Sequence, residues 1–300
     1  MFQIISDGGC DFSKTEAKSH KVEVVPFYIT FDGETHMREG IDITKEAYFK
    51  RLIEDKTLFP KTAQPSPQDY IDVFTPYLEA GKDLVVLTIS SKLSGSHNSA
   101  TLAAGMALED YPNRKIIILD SKSVAMGQAL ILREIIKMRD NGLSIDKTVN
   151  IAGEVIQSSK IYFTLDTLEY LKRGGRVGPT TAFVGGILNL RPILHLENGE
   201  VVQLDNVRGK KRALSLMVEG VAAVLQGDMQ NLEVSIGHIF NELDANAFRA
   251  NLEASLNQKI NSPLAEVGAT IGTHAGPGAI AIAYCRKYEF FAANQLKKGA

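Results

Sequence analysis

The run from Asp83 to Tyr111 constrains the fold of this chain most strongly, because it reads as a buried strand, a polar loop and a helix in that order. Leu84 to Ile89 is a continuous apolar run of strand length, and the loop at 90–96 is rich in hydroxyl groups before an Ala-rich helical segment begins. In an open α/β sheet this order places the loop at the carboxyl end of a strand, where ligands usually bind. The loop is therefore the first candidate site.

Ser94, Gly95 and Ser96 give this loop the character of an anion site. The two hydroxyl groups can donate hydrogen bonds, the glycine allows close backbone approach, and the N–H groups of the first helical turn point into the same space. A carboxylate or phosphate could be held there without a formal positive charge. A helix cap formed by Ser96 or Asn98 explains the same residues without a ligand, and the sequence leaves both explanations open.

Strand-like and helix-like segments alternate through the first half of the chain. Further buried strands are expected from Phe2 to Ser6 and from Lys115 to Leu119, with a helix from Met126 to Arg139. This alternation predicts an α/β fold with a parallel, doubly wound sheet. In the second half, Asn198-Gly199 is typical of a hairpin, so we expect a second α/β unit with a mixed sheet.

The length of the chain favours two domains. A hydrophobic content of 44% in 300 residues can build two cores, and a single core stops growing near about 250 to 300 residues. We expect an N-terminal domain at 1–160, a C-terminal domain at 161–290 and a tail at 291–300.

Two further polar segments could meet the Ser94 loop in a cleft between these domains. The prolines that follow Thr62 favour an extended backbone, which leaves its hydroxyl group free to point into a cleft. A strand at 266–272 is expected to lead into a loop in which Gly272 and Gly276 flank His274, and such glycines allow close approach to a ligand. A cleft between domains is a usual place for a small-molecule site.

Composition and spacing exclude several other classes of function. A net charge of −2 gives no electrostatic reason to expect nucleic acid. Two distant cysteines and scattered aspartates fit no metal or redox spacing, and neither a signal peptide nor a long apolar run is found. We therefore expect a cytoplasmic protein without a metal or cofactor, with at most transient contact with a membrane surface.

Ser94 and His274 also suggest a second function, a serine esterase or acyltransferase with a nucleophile and its base. Such catalysis needs a hydrogen bond between the two residues and an orienting acid such as Asp7. The G-x-S-x-G elbow is absent, and the Gly-rich segment 174–178 has neither the Walker nor the dinucleotide-binding spacing. We therefore expect no ATP or NAD chemistry from this chain alone.

Basic residues cluster at two places in the second half. Arg173 and Arg176 lie on a Gly-rich turn, and Arg208 begins a second basic segment. Solvated surface charge explains both clusters in the simplest way. The two could instead form a positive patch that recruits an acidic partner, where rim charges mainly affect the rate of association.

Five motifs resemble, in order along the chain, those of the DegV family. They are Ser6-Asp7, Thr62-Ala63-Gln64-Pro65-Ser66, Leu93-Ser94-Gly95-Ser96, Leu168-Glu169-Tyr170-Leu171-Lys172-Arg173-Gly174-Gly175-Arg176 and Gly272-Thr273-His274-Ala275-Gly276-Pro277-Gly278. Each motif is weak alone, but their common order over nearly the whole chain is specific. The chain departs from the family pattern at Gly8, Gly9 and Cys10, where hydroxyl residues are frequent.

The resemblance implies a two-domain α/β fold that holds a fatty acid between its domains. Characterised members of the family serve as the FakB subunit of bacterial fatty acid kinase. They present the carboxylate of the bound acid to a separate ATP-binding subunit, FakA, and the resulting acyl phosphate enters phospholipid synthesis. By this resemblance the chain is a lipid-binding subunit and not an enzyme by itself, and a lipid sensor that docks another protein is a third possibility.

The resemblance also implies a role for each motif. Thr62, Ser94 and the backbone at Gly95 would bind the carboxylate, and His274 would complete the network. Arg173 and Arg176 would bind the FakA-like partner, with Arg208 extending that surface.

Overall fold

The computed structural model describes residues 2–177 and 190–298. Its first half contains, in order, β1 (Gln3–Asp7), α1 (Lys14–Ser19), β2 (Val22–Val25), β3 (Tyr28–Thr30), β4 (Met37–Arg38), α2 (Lys45–Glu54), β5 (Lys61–Ala63), α3 (Pro67–Glu79), β6 (Leu84–Thr88), α4 (Ser96–Asp110), β7 (Ile116–Asp120), α5 (Met126–Asp140) and α6 (Ile145–Ser158). Its second half contains β8 (Lys160–Thr164), α7 (Glu169–Gly174), β9 (Leu190–Glu197), β10 (Glu200–Arg208), α8 (Lys210–Leu225), β11 (Leu232–His238), α9 (Glu242–Leu256), β12 (Ala265–Glu266), α10 (Ala269–Ala275), β13 (Ile280–Arg286) and α11 (Tyr288–Lys298).

The first sheet consists of four parallel strands in the order β2-β1-β6-β7. Their continuous apolar runs are typical of strands that are buried on both faces. Ile5 and Val86 pack with α3 and α4, whereas Ile4 and Val85 face the opposite way, into the core that α5 shares. The predicted parallel, doubly wound sheet is confirmed.

The second sheet has six strands in the order β10-β9-β8-β13-β11-β12. Neighbouring strands are antiparallel except β11 and β12, which run parallel. The hairpin of β9 and β10 turns at Asn198 and Gly199, which both have the positive φ that these residue types tolerate. The predicted mixed sheet is therefore confirmed. Helices α8 and α9 cover its outer face.

Helix α5 lies between the two sheets and forms the middle layer of the molecule. It is buried along most of its length and contacts β11 and β13. Gly127 faces Ala283 at this contact, where a Cβ atom on Gly127 would lie 3.7 Å from the Cβ atom of Ala283, an ordinary packing distance. One hydrophobic core consequently runs from the first sheet to the second. The domain boundary at 160 remains a prediction.

One expectation about the end of the chain is wrong. The segment 266–272 is not a strand, because β12 ends at Glu266 and α10 begins at Ala269. The carboxylate of Glu39 accepts hydrogen bonds from the N–H groups of Ala269 and Thr270 and so starts this short helix from a distant part of the chain. The expected tail at 291–300 includes the end of α11, which continues to Lys298.

Candidate functional site

Thr62 and His274 lie in direct contact although 212 residues separate them. Strand β5 pairs with β3 and places Thr62 opposite Ile29, while His274 lies in the last turn of α10. The Oγ1 atom of Thr62 is 2.7 Å from Nε2 of His274. His274 therefore belongs to a helix and not to the loop that we expected, but the structure does bring it to Thr62.

The imidazole of His274 is neutral over most of the pH range. Burial, together with the nearby positive charge of Arg176, lowers the pKa of His274 to about 4. Its Nδ1 atom is buried against the backbone of Gly174, and no hydrogen-bond partner for it is found among the described residues. An orphaned N–H group is rarer than an unpaired acceptor, so we assign the hydrogen to Nε2. The Thr62 hydroxyl then accepts from His274 and keeps its own proton for another acceptor.

The Ser94 loop is held by the buried carboxylate of Asp7 at the end of β1. This carboxylate accepts hydrogen bonds from the N–H of Ile89 at 3.0 Å, from Oγ of Ser96 at 2.7 Å and from Nε2 of Gln128 at 2.9 Å. Burial raises the pKa of Asp7, and these donors oppose the rise. Asp7 thus orders the loop between β6 and α4.

Ser94 and Gly95 form the start of α4. Gly95 is the N-cap residue of α4, so neither Ser96 nor Asn98 caps this end, and the Oγ atom of Ser94 accepts a hydrogen bond of 3.2 Å from the N–H of Ser96. Within residues 2–177 and 190–298 no acceptor for the hydroxyl proton of Ser94 is found, so this proton can be donated to a ligand. Gly95 lies against the amide of Gln64, and a Cβ atom at 95 would overlap that amide.

Gln64 was not predicted as a site residue. Its Nε2 atom donates to Oγ of Ser99 at 3.1 Å, so it joins β5 to α4 across the site. Gln64 lies two residues after Thr62 in the same motif, and this position was the signal that could have identified it as a site residue.

Arg176 joins the end of α7 to the Ser94 loop. Its Nε atom donates to the carbonyl of Leu93 at 3.1 Å, and its Nη1 atom donates to the carbonyl of Gly174 at 2.5 Å. Because Gly174 also packs on His274, a chain of contacts runs from Thr62 through His274 and Arg176 to the Ser94 loop. We call Thr62, His274, Arg176 and Ser94 the polar rim.

An apolar cavity of about 350 Å³ opens beneath the polar rim. Thr62, Ser94 and His274 line it at the rim, and its walls lie between the start of α5 and the inner face of the second sheet. The wall residues on that sheet include Phe163, Leu165, Ala279 and Ala281. The volume lies within the range of small-ligand sites.

The arginines differ in their relation to the rim. Arg173 is exposed on α7, where it pairs with Glu169 at 2.6 Å and lies 3.4 Å from the centre of the Phe59 ring. Arg208 is exposed at the end of the edge strand β10. The structure brings Arg176 to the rim and places Arg208 on a different element.

The catalytic arrangement of a serine esterase is not assembled. The Nε2 atom of His274 contacts Thr62, and the carboxylate of Asp7 is used by Ser96 and Gln128. The Nδ1 atom of His274, where an orienting acid would bind, is the atom left without a partner in the described residues.

At Gly9, the departure from the family pattern has a packing cause. A Cβ atom on Gly9 would lie 2.8 Å from Cβ of Ile89 and 2.8 Å from Oε1 of Gln128, so a larger residue would push the turn away from the Asp7 network. Burial raises the pKa of Cys10 to about 12, which keeps its thiol protonated.

Two features are absent from residues 2–177 and 190–298. These residues contain no group of three His, Cys, Asp or Glu side chains placed to hold a metal ion. Within the same ranges, no helix combines the length and hydropathy needed to span a bilayer.

These features define an α/β protein with a parallel sheet, a mixed sheet, an internal apolar cavity and a polar rim. The chain belongs to the DegV family, whose sequence profile, described as an uncharacterised protein family, matches residues 1–287. A DegV domain-containing protein of Clostridium perfringens is 32% identical over 288 residues, which are 95% of this chain and 99% of that protein.

Solved structures with the same fold agree with this assignment. A stearic acid-binding protein from Eubacterium ventriosum has a TM-score of 0.91 and 34% identity, covering 97% of this chain and 100% of that chain. A fatty acid-binding DegV family protein from Thermus thermophilus has a TM-score of 0.85 and 29% identity, covering 95% and 99% of the two chains.

The low pKa of His274 predicts a specific pH dependence of stability. Between pH 6.5 and about 4, His274 binds a proton in the unfolded chain but stays neutral in the folded protein. The free energy of unfolding therefore falls as the pH falls. The expected loss is about 3 kcal/mol for the ligand-free protein. In His274→Gln this part of the loss should disappear, as measured by urea unfolding at several pH values. Equal pH dependence in the two proteins would contradict a buried neutral imidazole.

Proposed function

We propose that this protein binds a long-chain fatty acid, with the acyl chain in the apolar cavity and the carboxylate at the polar rim. The observation that carries the proposal is the contact of Thr62 with a neutral His274 at the rim of an apolar cavity. The stearic acid-binding protein of the same fold supports the choice of ligand.

The acyl chain supplies the affinity. A 16-carbon chain gains roughly 12 kcal/mol at about 0.8 kcal/mol per buried methylene, before the costs of ordering and association are subtracted. The walls contributed by Phe163, Leu165 and Ala281 offer such an apolar environment.

The rim offsets the desolvation of the carboxylate with hydrogen-bond donors. The hydroxyl groups of Thr62 and Ser94 each have a proton to give, and the N–H of Gly95 lies at the start of α4, where the helix dipole favours an anion. Arg176 adds positive charge beside them, so the site is less neutral than the sequence suggested. Because its guanidinium already donates to two carbonyl oxygens, it need not pair closely with the ligand.

We further propose that the protein presents the bound carboxylate to a separate FakA-like kinase subunit, which phosphorylates it with ATP. The acyl phosphate would then enter phospholipid synthesis in the cytoplasm. Hydroxyl and amide donors support this role, because they leave a carboxylate oxygen able to attack a phosphoryl donor. The exposed Arg173, three residues from Arg176, offers a charge beside the rim for an acidic partner surface.

Removal of the Thr62 hydroxyl should weaken fatty acid binding. Thr62→Val keeps the shape of the side chain but removes a charge-assisted hydrogen bond, so the affinity for palmitate should fall about 10- to 100-fold. Ser94→Ala should have a similar effect. Thr101→Val is the matched control, because Thr101 bonds to the His97 carbonyl on the exposed face of α4. Displacement of a fluorescent fatty acid measures all of these variants. Binding by Thr62→Val as tight as that of the unchanged protein would remove the proposed head-group site.

Replacement of Arg173 should separate partner recognition from lipid binding. Arg173→Gln should lower the rate of acyl phosphate formation with a FakA-like subunit about tenfold at low ionic strength, while palmitate affinity stays the same. Arg208→Gln tests the extended surface. Arg38→Gln is the control, because Arg38 also pairs with a carboxylate four residues away. Unchanged rates would argue against this surface. Lipid binding without phosphorylation by any matching kinase subunit would favour a lipid sensor.

A further inference from the structure

The cavity ends where α5 closes onto the second sheet. Ala279, just before β13, and Ala281 of β13 line the cavity wall. The next residue on the same face, Ala283, instead faces Gly127 of α5 at packing distance. On β13 the helix therefore closes the floor of the cavity between Ala281 and Ala283, whereas on the neighbouring strand β8 Ile161, the register partner of Ala283, still lines the cavity.

Met126 is the first residue of α5 and lies at this floor. Its side chain is 2% exposed, and it lines the cavity together with Gly237 of β11. Its terminal methyl group lies over the Cα atom of Gly237, and a Cβ atom at 237 would overlap it. Met126 thus fills the space that a side chain on β11 would otherwise take.

The backbone before Met126 is fixed, whereas its side chain can adjust. Ala125 is buried with φ 52° and ψ −131°, a conformation that favours glycine, and its N–H donates to the carbonyl of Gly9 at 2.8 Å. The thioether of methionine has three rotatable bonds and fills irregular spaces. A bound acyl chain can therefore displace the side chain of Met126 while the backbone at Ala125 keeps its position.

We propose that Met126, packed over Gly237, is the stop that sets the length of acyl chain the cavity accepts. This inference rests on the proposed function, fatty acid binding in the same cavity. Each methylene that fits inside the cavity raises affinity about fourfold, and one that does not fit gains nothing, so the position of the stop decides the preferred length.

Two substitutions move this stop in opposite directions. Met126→Ala removes three heavy atoms from the floor and should shift the preferred saturated acid to a chain about two carbons longer. Gly237→Ala forces the methionine away from β11 and into the cavity, which should shift the preference to a shorter chain. In the double variant the new methyl group meets no methionine, so the shortening caused by Gly237→Ala should vanish.

Met138→Ala is the matched control. Met138 is a fully buried methionine of the same helix and packs in the core away from the cavity. The Met138→Ala variant should lose about as much stability as Met126→Ala but keep the chain-length preference of the unchanged protein. Affinities for straight-chain saturated acids of increasing length, measured by displacement on variants that still unfold cooperatively, give the preference of each protein.

The outcomes separate this inference from the proposed function. A longer optimum in Met126→Ala alone and a shorter one in Gly237→Ala support the assignment. An unchanged optimum in Met126→Ala with tight binding, or an equal shift in Met138→Ala, overturns the assignment while fatty acid binding stands. Failure of the unchanged protein to bind any acid overturns both.

Discussion

The buried carboxylate of Asp7 orders the part of the molecule on which the site depends. A buried carboxylate is costly unless hydrogen bonds replace its water, and here the donors come from the residue after β6, from α4 and from α5. One side chain therefore ties the end of β1 to the Ser94 loop and to the helix that forms the cavity floor. Gly9 permits these hydrogen bonds, because a Cβ atom at this position would overlap Gln128 and Ile89. The position of the ligand-facing hydroxyl of Ser94 follows from this arrangement.

The site divides binding between two chemically different regions. The cavity is apolar because its walls are formed by side chains such as Phe163, Leu165 and Ala281. The rim is polar because β5, α7, α10 and the Ser94 loop each end there. Neutral His274 supports Thr62 without adding a charge, and Arg176 contributes its charge while bound to backbone carbonyls. A ligand with a long tail and one carboxylate fits both regions.

Local patterns in the sequence predicted the elements, whereas long-range packing decided the details of the site. Continuous apolar runs were enough for the parallel sheet, and Asn198-Gly199 predicted the hairpin of β9 and β10. The helix that carries His274 was missed because Glu39, far away in the chain, supplies its first hydrogen bonds. The overlap of Met126 with Gly237 could not be predicted, since no local pattern links a helix start to a strand more than a hundred residues later.

The central claim, that this protein holds a fatty acid, is tested most directly by mass spectrometry of the protein purified without added lipid. Spectra recorded under native conditions and again after organic extraction would give the mass and stoichiometry of any bound molecule. The account predicts about one long-chain fatty acid per chain. A protein that is empty and also fails to take up added fatty acid would contradict the account and leave its likeness to lipid-binding relatives as a likeness of fold.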